Sequence, residues 1–125
     1  MPAACKIVGV SDDPVLLKQC ETAMQDALGS EASVIRSQNY YLDITPPGHD
    51  KGTFVEAMAR LLKIPLRAIA TIGDMQNDLA MFKVSGLSIA MGNATDDVKR
   101  QAMHVTASNV DEGFAAAVDM ILAQH

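Results

Sequence analysis

Tryptophan is absent from this 125-residue chain, and aromatic rings come from only three Phe and two Tyr. Apolar bulk is supplied by Ala, Val, Leu, Ile and eight Met, in a composition 49% hydrophobic and 20% charged that is globular rather than disordered. Basic residues are scarce, ten Lys and Arg against fifteen Asp and Glu, for a formal charge of −5. That balance leaves no basic footprint for nucleic acid or for an anionic membrane, and neither is expected as a partner. No apolar run approaches the roughly 20 residues of a bilayer span, and the first residues lack the layout of a signal peptide, so a cytoplasmic protein is expected. The two cysteines, Cys5 and Cys20, have no metal-binding or redox spacing and read as buried free thiols. His49, His104 and His125 share no ligand spacing either, which argues against zinc. Nucleophile-elbow, Walker-type and dinucleotide-binding glycine motifs are also missing.

What is present reads as one modest α/β chain with a change of character near its middle. Lys6–Val10 is β-branched and gives way at Ser11-Asp12-Asp13-Pro14 to a helix whose apolar positions, Leu16, Cys20, Ala23, Met24, Ala27 and Leu28, recur at three and four up to Gly29. Ser33–Ser37 and Tyr40–Ile44 read as a strand pair around Gln38-Asn39, making the first part β-α-β-β. Pro46-Pro47-Gly48 can extend neither a helix nor a central strand, and divides residues 1–47 from 48–125.

Beyond that break, helices alternate with apolar runs: a helical stripe from Phe54 to Leu62, extended Ala68–Ile72, helical Asn77–Lys83, extended Leu87–Ala90, helical Thr95–Ala102, extended Met103–Thr106 and helical Val110–Ala123. Thr95 and Asn109 stand where helix caps are expected, and Met24, Met58, Met81 and Met120 fall on apolar stripes as core filler. Such alternation implies a parallel sheet covered by helices.

Thr71-Ile72-Gly73-Asp74-Met75-Gln76-Asn77-Asp78 carries the strongest chemical signal, an apolar strand running directly into a glycine, two carboxylates and an amide. Open parallel sheets bind ligands just outside the carboxyl ends of their strands. Two acids four residues apart, with no basic residue in the stretch, suit a hard cation such as Mg²⁺ held by carboxylates, waters and a substrate phosphate. The plain alternative is that Asn77 or Asp78 caps the next helix while Asp74 faces solvent.

Lys51 places a cation in the first turn of a helix capped by His49 or Asp50, where the dipole disfavours it by about 0.3–1 kcal/mol. That position suits a phosphoryl group or a carboxylate that attacks one, and the alternative is an ordinary surface lysine. Met91-Gly92-Asn93-Ala94 follows another strand end and reads as a turn that either approaches a ligand or is simply a loop.

Taken together, Gly73–Asp78 and Asp43–Gly52 resemble the Gly-Asp-x-x-Asn-Asp and lysine motifs of haloacid dehalogenase superfamily phosphatases, in the Cof-type branch with an inserted α/β cap. Ala90–Ala94 and Thr106–Gly113 resemble the continuation of that pattern, so the likeness covers nearly the whole chain. It implies a partial Rossmannoid core over 48–125 preceded by a cap remnant over 1–47, the carboxyl-terminal half of such an enzyme. It also implies a Mg²⁺-dependent phosphomonoesterase acting through an aspartyl-phosphate on small phosphorylated metabolites such as sugar phosphates. By the same likeness Asp74 would bind Mg²⁺ directly, Asp78 directly or through water, Asn77 would contact substrate phosphate, and Lys51 would steady the phosphoryl group and nucleophile.

The family's nucleophilic Asp-x-Asp pair occurs nowhere in these residues, and no appreciable turnover is expected of this polypeptide alone. Without the neighbouring nucleophile strand, residues 68–72 would form a free apolar edge, expected to pair in a dimer or in aggregates. Two rival readings stand beside this one. Val8–Pro14 is similar to the acidic corner of response-regulator receivers, although the Lys-Pro pair of that family is missing. A catalytically silent α/β interaction module is the other.

Overall fold

The computed structural model describes residues 4–123, which divide between His49 and Asp50 into two units. In the first, β1 (Ile7–Val10) leads into α1 (Pro14–Leu28), followed by a hairpin of β2 (Ser33–Gln38) and β3 (Tyr41–Thr45). The sheet order is β1-β3-β2, antiparallel throughout, with Val8 and Ile35 both opposite Asp43 and a register shift between Arg36 and Gln38. α1 starts where the Asp13 carboxylate accepts the backbone N–H groups of Val15 and Leu16, with Pro14 in its first turn. The helix meets the sheet through Leu17 rather than the expected Leu16, which is exposed along with Ala23 and Ala27; Leu17 packs with buried Val34 and Leu42 of the strands, joined by the half-buried Cys20, Met24 and Leu28. Cys5 departs from the buried thiol expected of it: it lies exposed, two residues before β1 begins.

One charged group sits on the helix-covered side of that sheet. Glu21 is 6% exposed, and its carboxylate accepts from Lys18 Nζ at 2.7 Å, Arg36 Nε at 3.1 Å and the Arg36 backbone N–H at 3.2 Å. Burial alone pushes the carboxyl up, but the hydrogen bonds and charges of Lys18 and Arg36 outweigh it and hold the group below its ordinary value.

The second unit runs α2 (Lys51–Leu62), β4 (Ala70–Gly73), α3 (Leu79–Val84), β5 (Leu87–Ala90), α4 (Asp96–Gln101), β6 (His104–Val105) and α5 (Gly113–Leu122). Its strands form a parallel sheet of order β4-β5-β6. The central β5 is the most deeply buried, with Ile89 and Ala90 fully covered and Ser88 nearly so, as expected of a strand between two helical layers. Ala90 packs with Phe82 of α3 and with Ala94 and Val98 around α4. Among the described residues β4 pairs only with β5, so it forms one edge of this sheet. That edge begins two residues later than the pattern suggests, because Leu66–Ala68 close a 3₁₀ turn before the strand starts.

Helix ends account for the other differences. Thr95 precedes α4 without its side chain accepting any helix N–H. The last helix starts at Gly113 rather than Val110, because Asn109–Asp111 form a 3₁₀ turn capped by the Ser108 hydroxyl, and Glu112 takes a left-handed conformation at φ 56°. The last extended segment shrinks to His104–Val105. No helix among the described residues is long and apolar enough to cross a membrane.

The Glu21 cluster generates the first expectation. Because its folded pKa lies below the ordinary 4.5, its stabilising contribution is complete above that value and is lost as pH falls through the folded value. Glu21→Gln is expected to lower stability by about 1–3 kcal/mol at neutral pH. In urea denaturation of the full chain, the gap to wild type should narrow as pH drops below 4.5. A gap independent of pH would show that the charge on Glu21 contributes nothing.

Candidate functional site at the carboxyl end of the parallel sheet

β4 ends in Gly73 because the space where a side chain would begin is already taken. A Cβ built there would lie 2.5 Å from Cβ and Cγ of Asp78 and 2.6 Å from its Oδ2. The glycine lets the chain turn through the 3₁₀ segment Gln76–Asp78 and fold the Asp78 carboxylate back under the strand end. There Oδ2 accepts the backbone N–H groups of Asp74 and Met75, both at 2.9 Å. Asp78 is only 2% exposed; it stands just before α3, but its side chain makes no capping bond to that helix and instead reaches back to the Met75 N–H that opens the 3₁₀ turn.

The other oxygen, Oδ1, accepts from Lys51 Nζ. Twenty-seven residues separate the two in sequence, and the geometry of α2 brings them together. Asp50 caps α2 in a reciprocal box with Thr53, which fixes Lys51 as the first helical residue. Gly52 is buried against α3, and a Cβ there would sit 2.5 Å from the carbonyl oxygen of Ala80. This near backbone contact sets the start of α2 directly over the loop that follows β4. The Lys51 side chain remains 49% exposed, so one face of its ammonium contacts Asp78 and the rest meets solvent.

Asp74 differs from Asp78 in its surroundings. Half-buried at the rim, it accepts from Asn93 Nδ2 at 2.9 Å through Oδ2. Asn77, between the two acids, keeps Oδ1 buried with no hydrogen-bond partner. Farther out, Gln76 Nε2 donates to Asp97 at 2.9 Å and, with Arg100, holds that exposed carboxyl below its usual range.

Lys51, Asp74, Asn77 and Asp78 therefore gather around one strand end. Asn93 joins them, although the Met91–Ala94 segment carries only a loop signal in sequence. Its partners lie 19 and 16 residues away, at Asp74 and at the backbone N–H of Asn109, a spacing that matches no local motif.

The donor set is one of oxygens. Among the described residues no group of three or more His, Cys, Asp and Glu side chains could hold a metal ion, which disfavours a closed structural site. Magnesium asks for less, since one or two carboxylates with waters and a substrate phosphate suffice. The two acids fit that requirement, with Asp74 the freer ligand and both Asp78 oxygens already engaged.

The chain is similar to known proteins along most of its length. The family model of haloacid dehalogenase-like hydrolases matches residues 2–118. A 5-amino-6-(5-phospho-D-ribitylamino)uracil phosphatase of Bacillus subtilis is 33% identical over 118 residues, 94% of this chain and 41% of that enzyme. A phosphoglycolate phosphatase of Pyrobaculum aerophilum is 36% identical over 100 residues, 80% of this chain and 43% of that enzyme. Among solved structures, a haloacid dehalogenase-like hydrolase from Bacteroides thetaiotaomicron superposes with a TM-score of 0.76 at 31% identity, covering 97% of this chain and 45% of the other. The chain thus spans less than half the length of these relatives.

The Asp78 seat can be tested without any ligand. Asp78→Ala removes the acceptor for two buried backbone N–H groups and for Lys51, and should cost about 2–4 kcal/mol in chemical denaturation. Gly73→Ala forces the same carboxylate out and should cost about 1–3 kcal/mol. In the double variant the two costs should fall well short of adding, because both act on one seat. Full additivity would separate the glycine from the carboxylate.

Proposed function

The chain belongs to the haloacid dehalogenase-like hydrolases, and on that footing we propose that its second unit is the metal- and phosphate-holding side of a Mg²⁺-dependent phosphomonoesterase acting on small phosphorylated metabolites through an aspartyl-phosphate. The observation that carries the reading is the convergence of Lys51, Asp74, Asn77 and Asp78 at the carboxyl end of β4. Phosphoryl transfer relies mainly on positioning and on stabilising charge over the transferred oxygens, and this group supplies both.

Asp74, with one oxygen outside its bond to Asn93, holds the cation directly. Asp78 reaches it through water while its main task is structural: it closes the loop and fixes Lys51. Lys51 turns its solvent-facing N–H groups to a phosphoryl oxygen, and Asn77 contacts the substrate phosphate. A cation held there by Asp74 would supply positive charge to balance that of the phosphoryl oxygens. The named relatives, phosphatases of a phosphorylated ribitylamino-uracil and of phosphoglycolate, support small phosphorylated metabolites as the substrate class.

The attacking carboxylate is not among these residues, since no Asp-x-Asp occurs in the sequence. We propose accordingly that this polypeptide by itself does not turn over phosphate esters. In the same reading residues 1–47 are a remnant of the substrate-selecting cap, and the β4 edge is a surface for pairing, with a second copy or with the remainder of such an enzyme.

Manganese binding followed by electron paramagnetic resonance, together with a phosphate-ester assay, tests this. The wild-type chain should bind Mn²⁺, Asp74→Ala should weaken binding by at least about tenfold, and p-nitrophenyl phosphate should remain unhydrolysed. Failure of the wild type to bind would overturn the metal assignment. Hydrolysis that disappears in Asp74→Ala would overturn the claim that this chain lacks its nucleophile.

A further inference from the structure

Asn93 links the loops that follow all three parallel strands through its side chain. It stands after β5, donates from Nδ2 to Asp74 Oδ2 after β4 at 2.9 Å, and accepts at Oδ1 from the backbone N–H of Asn109 after β6 at 3.0 Å. The direction of its amide is not free. A backbone N–H can only donate, so it selects the amide oxygen, while a carboxylate accepts and so selects the amide nitrogen. Both neighbours impose the same orientation, and a flipped amide would lose both bonds together.

The loop behind Asn93 is built to keep it there. Gly92 donates its N–H to the carbonyl of Ala107 at 2.9 Å, and a Cβ on Gly92 would stand 2.6 Å from the Ser108 nitrogen. The Ala107 carbonyl in turn packs on Gly113, where a Cβ would lie 1.9 Å from its oxygen, and Thr106 Oγ1 donates to the Gly113 carbonyl at 2.8 Å. Two backbone-to-backbone contacts thus anchor the 106–113 loop against the turn that carries Asn93.

We propose that Asn93 is a positioning residue for Asp74. By occupying Oδ2, and by being held from behind at Asn109, it fixes the carboxylate so that Oδ1 is the oxygen presented to a cation. The cation-ligand part rests on the function proposed above, whereas the positioning itself is a property of the protein without any ion. Outer-shell hydrogen bonds of this kind orient ligands, and their loss commonly lowers metal affinity by about 10–100-fold.

Two readouts on the full chain separate these parts. In ion-free protein, ¹⁵N NMR should show Asn93 side-chain amide protons protected from exchange. Their resonances should shift and lose protection in Asp74→Ala, while Gln76→Ala, which removes a neighbouring rim contact, leaves them unchanged. The Asn109 backbone amide should lose protection in Asn93→Ala. With Mn²⁺ as the probe, Asn93→Ala should bind at least about tenfold more weakly than wild type, with its thermal unfolding in the absence of ions little altered.

A freely exchanging Asn93 amide, insensitive to Asp74→Ala, would overturn the positioning role whether or not the ion binds. Unchanged Mn²⁺ affinity in Asn93→Ala, with wild type binding, would overturn its link to the cation. A wild type that binds no Mn²⁺ while Asn93 behaves as expected would instead strike the metal reading and leave the positioning role supported.

Discussion

A carboxylate withdrawn from water has to find hydrogen-bond donors within the protein, and the loop after β4 is shaped around meeting that demand for Asp78. Its two oxygens take two backbone N–H groups of its own loop and one ammonium from α2, which would otherwise be placed independently. The Asp74 and Met75 amides bind the loop to itself, and Lys51 binds it to the start of α2. Gly73 and Gly52 are consequences of the same demand, since a side chain at either would occupy volume that the carboxylate or the adjoining helix already fills. Asp74, next to this seat but outside it, is left with the looser environment a ligand needs.

Asp74, Asp78 and Lys51 were legible in the sequence because each breaks a local rule: two acids without a base at a strand end, and a cation in a first helical turn. Such local conflicts are where functional sites tend to lie. That Lys51 and Asp78 answer each other is visible only after α2 packs on α3, and no spacing rule covers 27 residues. Asn93 was harder for the same reason, since a side chain recognised by one distant carboxylate and one distant backbone amide leaves no periodic trace. The strands and α1 emerged because burial on a sheet imposes a repeat. The start of α5 did not, because a left-handed Glu112 interrupts a stretch whose composition continues smoothly from turn to helix.

The two units obey different rules of burial. In the first unit a charged residue of α1, Glu21, is tolerated where the helix meets the antiparallel sheet because Lys18 and Arg36 surround it. The parallel sheet uses neutral pairs instead, such as the Thr71 and Ser85 hydroxyls 2.7 Å apart, and keeps its carboxylates for the strand ends. That placement is the one general to open parallel sheets, whose carboxyl edges are where ligands bind.

Asp78 also bears on timing. Because its bonds hold residues 74–78 in shape through protein contacts alone, the arrival of an ion need not order that segment, and no conformational entropy is surrendered at that moment. Under the proposed function, the slow event in exchange of magnesium at Asp74 would then be the ion's own reluctance to shed hydration water, a property of the metal rather than of chain motion.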